Sequence, residues 1–121
     1  MDTPKRILYA DDHVDSCDMM RALLSARGYE AETAHTLADA LTLARSAEFD
    51  LFVIDNHFPD GTGAELCTGI RGFNAMTPII IYSGTSTEAD VEEGLRPGAQ
   101  TYVRKPFIEE LLAEVARFLA A

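Results

Sequence analysis

The sequence is short of positive charge. Ten Lys and Arg stand against twenty Asp and Glu in 121 residues, a formal net charge of −10. Lysine itself occurs only at Lys5 and Lys105. That shortage argues against non-specific nucleic-acid binding, which needs a cationic surface to meet phosphates. It argues equally against an anionic membrane surface. Long apolar runs are missing too, and none approaches the ~20 residues of a membrane-spanning helix. The polar lead from Met1 to Arg6 meets an apolar stretch too short for the core of a secretory signal. Cysteine is rare: only Cys17 and Cys67 occur, far apart in sequence and without zinc spacing. Both are read as reduced packing thiols, as expected in the cytoplasm. Linkers, repeats and low-complexity tracts are absent, so residues 1–121 are expected to form one domain.

What is present is an alternation of two patterns. Ile7-Leu8-Tyr9-Ala10 reads as a buried strand. Val14, Cys17, Met20 and Leu24 then recur about one helical turn apart, up to Gly28, a residue favoured just past a helix end. Glu30 to Ala34 reads as a weaker strand near an edge. Thr36 is a plausible N-cap with Asp39 three residues on, opening a helix whose stripe is Leu37, Ala40, Leu41 and Ala44. Leu51 to Ile54 is the second strong strand, and residues 55–63 read as a Gly/Pro/Asp-rich loop. A third helix carries Leu66, Ile70 and Phe73 on one side. Pro78 to Tyr82 is the third strong strand. Thr87 to Leu95 is a poor helix, with only Val91 and Leu95 as sizeable apolar residues, and should pack loosely. Thr101-Tyr102-Val103 is a last short strand, and Ile108, Leu111, Leu112, Val115 and Leu119 make the clearest amphipathic helix.

Continuous apolar strands joined by helices imply an α/β fold with a parallel sheet covered on both faces. Five strands and five helices would give a doubly wound sandwich, with its ligand crevice past the carboxyl ends of the strands. The polar residues that follow the strands should therefore share one edge. They are Asp11 and Asp12, then Asp55, then Ser83 with Gly84 and Thr85, then Arg104, Lys105 and Pro106. Three close carboxylates repel one another. A hard divalent cation such as Mg²⁺, which takes oxygen ligands, relieves the repulsion. With Lys105 as a mobile point charge and a carboxylate as nucleophile, the set suits phosphoryl chemistry.

These motifs resemble the receiver domains of bacterial two-component response regulators over roughly Lys5 to Leu119. They are Asp11-Asp12, Asp55 with Pro59 and Gly63, Ser83-Gly84, Gly98-Ala99, Tyr102 and Lys105-Pro106-Phe107. The resemblance implies a flavodoxin-like fold with strand order 2-1-3-4-5. It also implies a signalling switch rather than a turnover enzyme. Asp55 would accept a phosphoryl group from a sensor histidine kinase or a histidine phosphotransfer protein. Asp12, Asp55 and the backbone carbonyl of His57 would bind Mg²⁺, with Asp11 acting mostly through a water. Lys105 would pair with Asp55 or the phosphoryl oxygens, and the Lys105–Pro106 bond would be cis. Ser83 would move to the phosphoryl group, and Tyr102 would swing inward with it. A downstream protein, or a second copy in a homodimer, would use the face of the fourth helix, last strand and last helix. The chain would be either a stand-alone receiver or one excised from a larger protein.

Other readings of single residues stay open. Asp12 alone could cap a helix, and Tyr102 could be a half-buried aromatic. His13 is expected to be exposed or capping, and His35 plain surface. His57, two residues after the acceptor, is expected to influence hydrolysis of the acyl phosphate. Four departures from the family pattern stand out. They are Ser83 for the commoner threonine, Gln100-Thr101 for acidic residues, a shortened lead after Phe107 without an Asp or Ser cap, and the unusual flank Asn56-His57-Phe58. The alternatives are an aspartyl-nucleophile phosphatase, an unphosphorylated pseudo-receiver adaptor and a flavodoxin-like electron carrier. The phosphatase pattern wants an acid where His57 stands. The electron carrier wants a hydroxyl-rich loop where Asp11-Asp12 stand.

Overall fold

A computed structural model describes residues 3–84 and 87–120. Five strands pair in one parallel sheet. They are β1 (Arg6–Ala10), β2 (Glu30–Ala34), β3 (Leu51–Ile54), β6 (Ile79–Ser83) and β7 (Thr101–Arg104). Their spatial order is β2-β1-β3-β6-β7. Counted within this sheet alone, that is the expected order 2-1-3-4-5, with β2 at an edge. Five helices connect or follow them: α1 (Val14–Ala26), α2 (Leu37–Ser46), α3 (Gly63–Arg71), α4 (Glu88–Leu95) and α5 (Ile108–Leu119).

The strands alternate strictly between two cores, because successive side chains of a strand point to opposite faces. Leu8, Ala10, Phe52, Ile54, Ile79, Ile81 and Tyr102 pack with α2 and α3 residues such as Ala40, Leu66 and Ile70. Ile7, Tyr9, Leu51, Val53, Ile80, Tyr82 and Val103 pack with Cys17, Met20 and Leu24 of α1 and Leu111 and Val115 of α5. All four residues of β3 are essentially inaccessible, which is why its sequence shows no polar alternation. Both cysteines are buried as free thiols.

The register carries the ladder one residue past three strands. The Asp11 amide donates to the Ala34 carbonyl at 3.0 Å, that of Asp55 to Ala10 at 2.9 Å, and that of Lys105 to Ser83 at 2.9 Å. Asp11, Asp55 and Lys105 are thus pinned by the sheet itself.

Three readings of the sequence need correction. Val14 is not on the buried stripe of α1; it is the first helical residue, overhangs the sheet edge and is 52% exposed. Phe73 is not on the α3 stripe either. The helix stops at Arg71 with Gly72 as its cap, and the ring lies 41% exposed against the Arg45 guanidinium. Within the stretch read as loop, β4 (His57–Phe58) and β5 (Gly61–Thr62) pair antiparallel around Pro59-Asp60. Only two-residue strands are involved, too short for periodicity to reveal. Thr85 falls outside the described residues.

The helix ends follow local chemistry. The Thr36 hydroxyl accepts the Asp39 amide, and Thr62 and Glu65 form a reciprocal capping box on α3. The α5 N-cap, Phe107, contributes no side-chain bond, consistent with its missing Asp or Ser. α4 is anchored thinly, as expected: of its residues only Gly94 is fully buried. At the end of α1, the Gly28 amide bonds Ser25 O and that of Tyr29 bonds Leu24 O, a Schellman closure with Gly28 at φ 89°. A Cβ on Gly28 would meet nothing within 4 Å, so its substitution isolates the backbone cost. Gly28→Ala is predicted to destabilise the fold by about 1 kcal/mol. Urea unfolding measures this, and an unchanged midpoint would contradict the closure.

Candidate functional site

Because the strands are parallel, Asp11, Asp55, Ser83 and Lys105 emerge on one edge. Asp55, Ser83 and Lys105 line an open cleft of about 450 Å³ together with Asp12, His13, His57 and Gly84, while Asp11 is fully buried behind Lys105. The Lys105 ammonium joins the two buried acids. Its Nζ donates to Asp11 Oδ2 at 2.7 Å and to Asp55 Oδ2 at 3.1 Å. Asp11 is fully buried and Asp55 8% exposed. The Lys105–Pro106 peptide is cis, as the resemblance implied.

The second oxygens are held from their own loops. Asp11 Oδ1 accepts the His13 amide at 2.9 Å, and Asp55 Oδ1 accepts the Asn56 amide at 2.6 Å. Gly63 makes the second loop close up. A Cβ there would lie 2.5 Å from the Asp55 carbonyl oxygen, so glycine is needed for α3 to start so near the end of β3. Asp12 and His13 are exposed, and His13 is the N-cap of α1 without using its side chain. Asp12 is therefore not a cap. Ser83 is buried at the cleft floor.

Burial works against the charge on Asp11, yet hydrogen bonds from Lys105 and the His13 amide outweigh it and hold this carboxyl below the usual aspartate range. Burial likewise works against the Lys105 cation, but its bond to Asp11 and the charge of Asp55 keep its pKa above the ordinary lysine value. Beneath the pair lie two tyrosines on the α1/α5 face. The Tyr9 hydroxyl donates to Asp11 Oδ2 at 3.3 Å, and Lys105 Nζ sits 5.6 Å from the centre of the Tyr82 ring. Burial raises the pKa of both phenols, so they stay neutral. Burial also pushes the Cys17 thiol up to about 11, and its Sγ faces the Asp11 carbonyl at 3.3 Å.

The donor set suits a hard cation. Asp11, Asp12 and His13 each offer a ligand atom within 4.8 Å of the others, and Asp55 faces the same cleft across Lys105. Carboxylate oxygens predominate, the ligand type Mg²⁺ prefers. Tyr102 is packed inward against Ile81 and Gly94, where a larger residue than glycine would collide.

Sequence reasoning missed three contributors. Tyr9 and Tyr82 looked like core residues, though strand alternation alone puts them on one face. Asp60 looked like a turn residue, yet its carboxylate accepts the Leu37 and Ala38 amides at 2.8 and 3.1 Å. It ties the loop after β3 to the start of α2, and those bonds lower its pKa. His35 is not plain surface: its Nε2 is buried without a hydrogen-bond partner.

Because Asp11 titrates lower folded than unfolded, the stability it lends is present above the unfolded value of about 3.9 and is lost as pH falls through the folded pKa. Denaturant unfolding between about pH 5 and 2 should show that loss. Asp11→Asn should flatten the slope there, and an unchanged slope would contradict the assignment.

The response regulator receiver domain model matches residues 7–117. The response regulator MprA of Mycobacterium tuberculosis is 36% identical over 115 residues, covering 94% of this chain and 50% of that protein. The chain thus spans about half the length of the curated relatives it matches. Among solved structures, chemotaxis protein CheY4 of Vibrio cholerae is 32% identical, with a TM-score of 0.90 over 97% of this chain and all of that one. A Burkholderia pseudomallei response regulator, solved with a phosphorylated aspartic acid, a calcium ion and citrate, is 27% identical, with a TM-score of 0.84 over 90% of this chain and 65% of that one. Sheet order, strand-end acids and family match agree: the chain belongs to the response regulator receiver domains, which are signalling modules rather than enzymes of the usual kind.

Proposed function

We propose that this chain acts as a single phosphorylation-controlled switch, residues 1–121, that accepts a phosphoryl group on Asp55 from a phosphohistidine. The donor would be a sensor histidine kinase or a histidine phosphotransfer protein. The observation that carries this reading is the Lys105 ammonium bridging Asp11 and Asp55 at an open cleft. The bridge holds the Asp55 carboxylate in a fixed position at the wall of the cleft, as a nucleophile requires.

In the transfer, an Asp55 carboxylate oxygen forms a bond to phosphorus. The phosphorus–nitrogen bond of the donor breaks, and the bonding pair stays on the imidazole. Asp11, Asp12, Asp55 and the His57 backbone carbonyl would hold Mg²⁺. When bound, the ion neutralises charge on the phosphoryl oxygens. Lys105 then exchanges an Asp55 oxygen for a phosphoryl oxygen while keeping Asp11 as its anchor. Ser83 donates its hydroxyl to another phosphoryl oxygen. Tyr102 already lies inward, and it packs on Gly94 beside Ile81 of Ser83's strand, so both β6 and β7 meet α4 there. Output to a downstream protein or to a second copy would pass through the α4–β7–α5 face, whose first helix is the thinnest anchored.

Incubation with phosphoramidate and Mg²⁺ should add the mass of one phosphoryl group, and Asp55→Asn should abolish it. An unmodified native protein would instead make the chain a pseudo-receiver. Lys105→Met should retain Mg²⁺ binding but slow labelling by about 10²-fold or more, the scale of losing one charge-stabilising donor. His57 is exposed at the cleft mouth, so His57→Ala should change the lifetime of the acyl phosphate, followed by phosphate release. An unaltered lifetime removes that role.

A further inference from the structure

Every helix of this fold begins with acid and ends with arginine. Their first turns hold seven carboxylates in all: one each on α1, α2 and α3, two each on α4 and α5. Arg45, Arg71 and Arg117 lie in the last turns of α2, α3 and α5, and Arg27 and Arg96 cap the ends of α1 and α4. Each acid complements its own helix dipole locally. The topology adds them up. All five helices run against the parallel strands, so all five beginnings lie on the edge that carries the cleft. With Asp11, Asp12, Asp55 and Asp60, that edge holds eleven carboxylates against two cations, Arg104 and Lys105. The excess of nine negative charges there accounts for nearly the whole net charge of −10.

Exposed apolar groups stand inside this field. Val14 and Phe107, next in sequence to His13 and one residue beyond Lys105-Pro106, are 52% and 57% exposed. Pro106, Phe107 and Ile108 form an open hollow rimmed by Glu109 and Glu110. An apolar hollow with an anionic rim fits an apolar side chain set among basic ones.

We propose that the physiological phosphodonor docks through a cationic face, with Lys or Arg around an apolar anchor, and that the anionic edge selects such donors over anionic ones. The proposal rests on Asp55 being the phosphoryl acceptor and adds the chemistry of what delivers the group. Lys and Arg near the phosphohistidine would also offset repulsion between the phosphoryl group and this edge. Attraction of this kind acts over the Debye length, about 30 Å at 0.01 M salt and about 3 Å at 1 M.

Two phosphohistidine peptides test it, one flanked by lysines and one by glutamates, with the full chain at saturating Mg²⁺. The lysine peptide should phosphorylate Asp55 about tenfold faster or more at about 0.01 M salt. The difference should collapse at about 1 M salt. The double variant Glu109→Gln, Glu110→Gln should slow the lysine peptide several-fold and leave labelling by phosphoramidate unchanged. Equal peptide rates at low salt, a faster glutamate peptide, or reaction with phosphoramidate but with neither peptide would overturn the docking proposal alone. Failure of phosphoramidate to label Asp55 would overturn the acceptor assignment beneath it.

Discussion

The pairing of one ammonium with two buried carboxylates is the constraint on which the rest of this structure turns. Asp11 and Asp55 end neighbouring strands, and their charges would repel at that spacing without a partner. Lys105 arrives from the far edge strand, two strands away from Asp55, and meets both acids at hydrogen-bonding distance. Its reach depends on the parallel order of the sheet and on the ladder bond that fixes its own amide to Ser83. The strand order, the register and the closing turn before α5 therefore all serve one electrostatic arrangement. Removing the charge of Lys105 would leave two carboxylates in a place of low solvent access, which is costly.

The two cores make that arrangement rigid. Each inner strand divides its side chains between the α2/α3 layer and the α1/α5 layer, so neither face of the sheet is left to water. The strand ends are then the only places where the central strands meet solvent on the cleft side. The loop after β3 is closed from three directions: by Gly63, which lets α3 approach, by the Asn56 amide on Asp55, and by Asp60 reaching to α2. α4 is the exception, held through Gly94, Val91 and Leu95 alone. A fold with one lightly held helix beside a rigid site has a natural element to reposition.

Much of this was legible in the residues. Runs such as Leu51 to Ile54 identify buried parallel strands because nothing in them tolerates water. Thr36 and Gly28 mark helix ends through capping chemistry that acts within a few residues. The acids after the strands identified the site, since the fold class alone brings strand ends together. Val14 and Phe73 were misplaced because helical spacing says nothing about where a helix overhangs the sheet or where Gly72 stops it. Asp60 was missed because its partners, Leu37 and Ala38, lie more than twenty residues away in sequence. Tyr9 and Tyr82 were read only as core, since a phenol's polar end has no sequence signature.

The sequence by itself determined the alternation of strands and helices, which polar residues follow each strand and a net charge of −10. These follow from local rules: apolar runs bury, caps stop helices, and charges count the same in any order. Only the tertiary structure decided where that charge goes. Acids at helix starts are a local preference repeated five times. They become one anionic edge around the cleft because a parallel sheet forces every connecting helix to run the same way.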